Sequence, residues 1–225
     1  MGNPYPSPVD WNLIDALNTN IDNAVYYFSN SDIDQYGGTY VTYINGISSD
    51  GKATNIIPSM QGFFIHVTDG AYPVEGRLVM NNSVRVNDLD HPFIKSAEAE
   101  QPKFLRLSAC FSTSPDKPDY TVVYFDDQAT PEFDGQFDAL KLLNTDINVP
   151  SIFSVTPSAS RLSINGMPPP GGQSLVVPLG IVTQADGNIM FRVCAIDPSM
   201  VAMKISLIDS VAGAKREIAL NSEYS

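Results

Sequence analysis

The stretch 56–67 sets the pattern for the chain. Its second half, Phe63-Phe64-Ile65-His66-Val67, is a run of aromatic and branched residues between Gly62 and the turn-forming Thr68-Asp69-Gly70, which is how a strand reads. Apolar residues at nearly every position predict a central strand covered on both faces. Upstream, Asn23-Ala24-Val25-Tyr26-Tyr27-Phe28 reads as a strand, and so does the period-two run 39–44, which closes on the tight-turn pair Asn45-Gly46. Downstream, 76–80 and 83–86 read as strands flanking Asn81-Asn82. One helix is expected in this half, with Ser7 as N-cap, Pro8 at the first helical position and Asp10 in the first turn. It would run to about Leu17 and bury Trp11 and Ile14 with Leu17 or Leu13.

Beyond residue 102 the same alternation predicts strands at 104–111, 120–125, 140–143, 151–155, 161–164, 174–179, 189–195 and 204–208, the short spacing of a sandwich. Between the halves, the segment from His91-Pro92 to Gln101-Pro102 shifts to Ser, Ala, Glu and Lys with prolines at both ends, as a linker does. The reading is an all-β protein of two β-sandwich-like modules of mainly antiparallel strands. They span 1–95, with the short N-terminal helix, and 103–225. The tail ends on Tyr224 without a closing turn, which leads us to expect a further strand beyond it.

Composition sharpens this only in places. At 43% hydrophobic residues the chain can build a core, and the abundance of Gly, Pro, Ser, Asn and Asp suits many short strands joined by turns. A formal net charge of −12 gives a surface that repels phosphate backbones and anionic headgroups, so nucleic acid is a poor partner. No run approaches the roughly 20 apolar residues of a membrane-spanning helix, so membrane insertion is not expected. The first residues have neither a basic start nor an apolar run, so no export signal is expected in this chain; it is either cytosolic or a piece of something longer. Cys110 and Cys194 lie in predicted strands outside any C-x-x-C spacing, and two buried free thiols are the favoured reading over a bridge between adjacent strands.

Candidate chemistry is sparse. Asp126, Asp127, Glu132, Asp134 and Asp138 form the densest carboxylate group, and a calcium ion takes six to eight oxygens of this kind. Against a calcium site stands a solvated acidic loop anchored by Phe133 and Phe137. The same acids are the only candidates for a glycosidase acid/base pair, and with them for a glycan-active hydrolase. His66 alternates within an apolar strand and His91 precedes a proline. There is no G-x-S-x-G elbow, so both read as structural rather than catalytic, and no glycine motif for nucleotides is present. Tyrosines crowd the first module. Tyr36, Tyr40 and Tyr43 are candidate ligand-binding residues, because such rings stack on sugars or peptides when a sheet face exposes them; half-buried packing is the competing reading.

Several short segments also carry a resemblance. They include Gly2-Asn3-Pro4-Tyr5-Pro6-Ser7-Pro8-Val9-Asp10-Trp11-Asn12, Asn23-Ala24-Val25-Tyr26, Ile57-Pro58-Ser59-Met60-Gln61-Gly62-Phe63-Phe64 and Met80-Asn81-Asn82-Ser83-Val84-Arg85-Val86. Leu105-Arg106-Leu107, Val123-Tyr124-Phe125, Val177-Pro178-Leu179-Gly180 and Leu207-Ile208-Asp209 extend it through the second half. Together they resemble the adhesin-like β-sandwich region of large secreted or cell-surface proteins exported by the type IX secretion system. The resemblance implies a secreted or cell-surface location and no catalytic residues. With it the expected function is non-catalytic: an adhesion or scaffold module binding an extracellular protein or glycan. A carbohydrate-binding module using the tyrosine-rich half and the hydrolase above are the alternatives. Self-association through an unpaired sheet edge is a further expectation.

Overall fold

The computed structural model describes residues 1–14, 18–31, 35–86, 102–200 and 203–225. The first half runs β1 (Val9–Asp10), the helix α1 (Trp11–Ile14), β2 (Ile21–Asn30), β3 (Gly38–Ile44), β4 (Ile47–Ser48), β5 (Ile56–Ile57) and β6 (Phe64–Val67). The second half runs β7 (Lys103–Phe111), β8 (Asp119–Phe125), β9 (Ala139–Leu140), β10 (Ser151–Val155), β11 (Arg161–Met167), β12 (Leu179–Val182), β13 (Ile189–Ile196), β14 (Ser206–Asp209), β15 (Ala214–Glu217) and β16 (Glu223–Tyr224). The protein is all-β, with several mainly antiparallel sheets and one short α-helix among the described residues.

The first half is built on a four-stranded sheet in the order β4-β3-β2-β6. Asn45 and Gly46 take positive φ values of 48° and 82°, as a two-residue hairpin loop requires, and pair Ile44 with Ile47. One sheet face, with Val25 and Tyr43, packs under Val9, Trp11, Ile14, Ile57, Phe63 and Val84. The other face puts Ala24, Tyr26, Ile44 and Ile47 against Val122, Tyr124, Ala139 and Ile164 of the second half. The two halves therefore share a buried core, a sheet-on-sheet contact of the sandwich kind.

The second half forms an eight-stranded sheet, ordered β12-β10-β11-β8-β7-β13-β16 with β9 on β11; its parallel pair is β8 with β11. The sheet curls on itself. Ile152 of β10 and Leu179 and Ile181 of β12 meet Leu107 and Ala109 of β7 and Val193 of β13 in a third core. Both cysteines are free thiols, Cys110 buried and Cys194 only half-buried. Their strands β7 and β13 are neighbours, but Cys110 faces Met190, while Cys194 sits four residues on, in a bulge.

Several expectations need correction. The run 63–67 is not a central strand: β6 is the edge of its sheet, and Phe64 remains 47% exposed. The first turn of the expected helix is extended, because Val9 and Asp10 pair with Ile57 and Ile56; the helix described is Trp11–Ile14, with Leu13 exposed, and residues 15–17 lie outside the described set. The runs 76–80 and 83–86 form single bridges, Thr19 to Arg77 and Val9 to Arg85, about a 3₁₀ turn at Asn82–Val84. The strand expected at 174–179 begins only at Leu179, and of 140–143 only Leu140 is in a strand. The tail makes its own strand, β16, against β13. His91 and the linker up to Gln101 lie outside the described residues.

Candidate functional site: an aromatic strip at the junction of the two halves

Phe28, Tyr40 and Phe64 come together on the outer part of the sheet face that the second half covers only in part. The Phe28 and Tyr40 ring centroids are 5.0 Å apart, and those of Tyr40 and Phe64 5.8 Å. They meet because Phe28 is opposite Tyr40 on β2 and β3, while β6 sits on the far side of β2 with Phe64 opposite Tyr26. Phe28 lies flat over Gly38, where a β-carbon would fall 2.4 Å from the ring. All three rings keep some contact with solvent.

Two loops of the second half bracket the strip. At one end Asn144 Oδ1 accepts from the Tyr40 N–H at 3.0 Å, and the Thr145 N–H donates to the Gly38 carbonyl at 2.9 Å. At the other end the loop 133–138 docks on a wide bulge in β2. Ile21 pairs with Val67 and Val25 with Ile65, so three residues of β2 stand against one of β6. The bulge frees the Asn23 N–H to donate to the Gly135 carbonyl at 2.8 Å, and it turns Asp22 onto His66.

Asp22 is almost fully buried. One carboxylate oxygen lies 2.6 Å from His66 Nδ1, and the other accepts from the Thr68 hydroxyl, also at 2.6 Å. His66 packs edge-on to Phe133, at 6.3 Å between centroids. A carboxylate beside Nδ1 favours the tautomer protonated there, which makes Nε2 the acceptor nitrogen of a ring 30% exposed. His66 and Phe64 are alternate residues of β6 and so share a face. The strip therefore ends in a polar group of fixed orientation. Beside Thr68 opens a cleft of about 480 Å³, whose lining includes Asn20, Asp69, Pro73 and Glu75.

The expected site residues scatter. Tyr40 is in the strip. Tyr43, three residues on, faces the other way, buried beside Trp11, its hydroxyl receiving the Gly46 N–H at 3.1 Å. Tyr36 stands 81% exposed before β3. Four of the five acids are spent on backbone amides. Asp126 accepts from Gln128, Glu132 from Ser158 and Asp134 from Gln136, while Asp138 accepts from both Gly166 and Asp134 at 2.7 Å. Asp127 is exposed. Among the described residues no group of three or more His, Cys, Asp or Glu is gathered to hold an ion. Burial pushes Asp138 up to about 7, outweighing the two N–H donations that favour its charged form. The Asp22–His66 pair was missed in the sequence because its members are 44 residues apart and neither sits in a motif. The one legible hint was parity: positions 40 and 43 cannot share a strand face.

Fold and site together define an all-β protein whose most developed surface chemistry is a row of aromatic rings ending in an oriented imidazole. The DUF8693 family, a domain of unknown function, matches residues 1–225, and the chain belongs to it. No curated protein and no solved structure matches the chain.

Proposed function

We propose that this protein is a non-catalytic adhesion or scaffold module whose ligand face is the Phe28–Tyr40–Phe64 strip with His66, and that the ligand is a glycan. The observation carrying this reading is the strip itself: three touching rings open to solvent beside a half-exposed imidazole held by a buried carboxylate. Aromatic faces stack on the C–H faces of sugars, and an imidazole nitrogen of fixed tautomer accepts a hydrogen bond from a sugar hydroxyl. Four of the five candidate carboxylates support this non-catalytic reading, since their oxygens accept from backbone amides. A place outside the cell or on its surface is part of the proposal and rests on the resemblance described above.

A saccharide array followed by calorimetry on the best binder tests it. The expected result is saturable binding that falls at least tenfold in Phe64→Ala and in Tyr40→Ala, and is unchanged in Tyr36→Ala. An array with no binder, or binding indifferent to both strip substitutions, overturns the proposal.

A further inference from the structure

The eight-stranded sheet ends at β12, and among the described residues no strand pairs with its outer side. Edge strands are ordinarily guarded by charge, proline, a bulge or a cover, because their free N–H and C=O groups template pairing with another chain. β12 shows none of the first three. Leu179-Gly180-Ile181-Val182 carries no charge and no proline, and its register on β10 runs unbroken from Val182 opposite Ser151 to Leu179 opposite Ser154. The neutrality is wider than the strand: from Leu162 to Ala185 there is no Asp, Glu, Lys or Arg, in a chain whose net charge is −12. Leading into it, Val176 is 72% exposed with Leu175 beside it. The other sheet ends carry charge. β16 holds Glu223 against Arg192, β6 holds His66 against Asp22, and β4 runs into Asp50.

We infer that the β12 edge is a self-association surface, on which a second copy of this chain pairs β12 to β12 in antiparallel fashion about a twofold axis. The charge distribution selects a second copy as the occupant. Two copies of an acidic chain repel wherever their acidic surfaces meet, and this neutral edge carries the least of that cost. An antiparallel pair about a twofold axis is self-complementary, so each free N–H of one edge finds a carbonyl of the other. An axis through Gly180 sets Val176 opposite Gln184 of the partner subunit, on the same face of the joined sheet. Both positions are exposed in the single chain, so neither requires repacking.

Light scattering with sedimentation velocity on the 225-residue chain tests this. The mass should rise with concentration from 24.4 kDa toward twice that value. Val176→Lys with Gln184→Lys places lysines opposite one another across the axis and should hold the protein as a monomer at every concentration. Val176→Lys with Gln184→Glu pairs opposite charges across the same axis and should restore the dimer. Val211→Lys, at a fully exposed position elsewhere, should change nothing. If a double variant fails to fold, Val176→Lys alone decides, with association expected at least tenfold weaker. A wild-type chain that stays monomeric throughout, or lysine variants that dimerise like wild type, overturns the inference.

Discussion

Two acid–base pairs in this protein look alike on paper and do different work. In the second half, Lys141 Nζ sits 2.7 and 2.5 Å from the two oxygens of Asp119, and the Ile152 N–H donates to the same carboxylate at 2.7 Å. Both side chains are buried, and the pair lies inside the fold with its lone pairs taken up. At the junction, Asp22 is equally buried, but its partner His66 is 30% exposed, on the same strand face as Phe64. A closed pair can only hold structure. An open one holds structure through the acid and offers chemistry through the base. The cost of burying a carboxylate is met in both cases; what differs is whether the partner has a second polar atom to present.

The sharpest way to break the comparison is to remove one member of the closed pair. Lys141→Ala leaves Asp119 buried and uncompensated and should cost about 3–5 kcal/mol in urea unfolding, whereas Lys141→Met with Asp119→Leu should recover most of that loss. Next in size is Gly135→Ala. A β-carbon there would fall 2.2 Å from Asp22 Oδ1, so the loop and the acid cannot keep their places. Destabilisation of about 1–3 kcal/mol is expected, with a shift of the His66 ring signals in NMR.

A third buried acid, Asp138, pairs with no cation among the described residues and sharpens the contrast through pH. Its value in the folded chain is raised to about 7 from an ordinary 3.8, so between those values the folded state holds more protons than the unfolded one. Its contribution is fully present below the ordinary carboxyl value and is lost as pH rises through about 7. The difference in melting temperature between wild type and Asp138→Asn should therefore change across pH 4–7 and level off above about 8, a trend that scanning calorimetry would read. The smallest effect on stability is expected from His66→Gln, under about 1 kcal/mol if the amide donates to Asp22 in place of Nδ1. The same change should abolish the glycan contact assigned to Nε2, so the open pair can be split into its structural and binding parts.

Much of the fold was legible locally. The strands at 104–111, 120–125, 151–155 and 189–195 lie where alternation put them, and Asn45-Gly46 makes its hairpin because the backbone there needs two positive φ values. The site was half legible. Tyr40 was a candidate from its residue type, but Tyr43 was a candidate for the same reason and is core. Phe64 was hidden by the run that contains it, since four apolar residues among the five positions 63–67 look like a buried centre when the strand is in truth an edge.

The sequence by itself determined the β class, the turns and which residues prefer to leave water, because those follow from backbone sterics and side-chain partition over a few neighbouring positions. Tertiary structure alone decided that β6 is an edge, that a bulge aims Asp22 at His66, and that Gly135 meets Asp22 and Asn144 meets Tyr40 from more than 100 positions away along the chain. Those outcomes depend on which strand wins a place in the sheet. That is a competition among distant segments for the same hydrogen bonds and the same buried area, and it leaves no local trace in residue order.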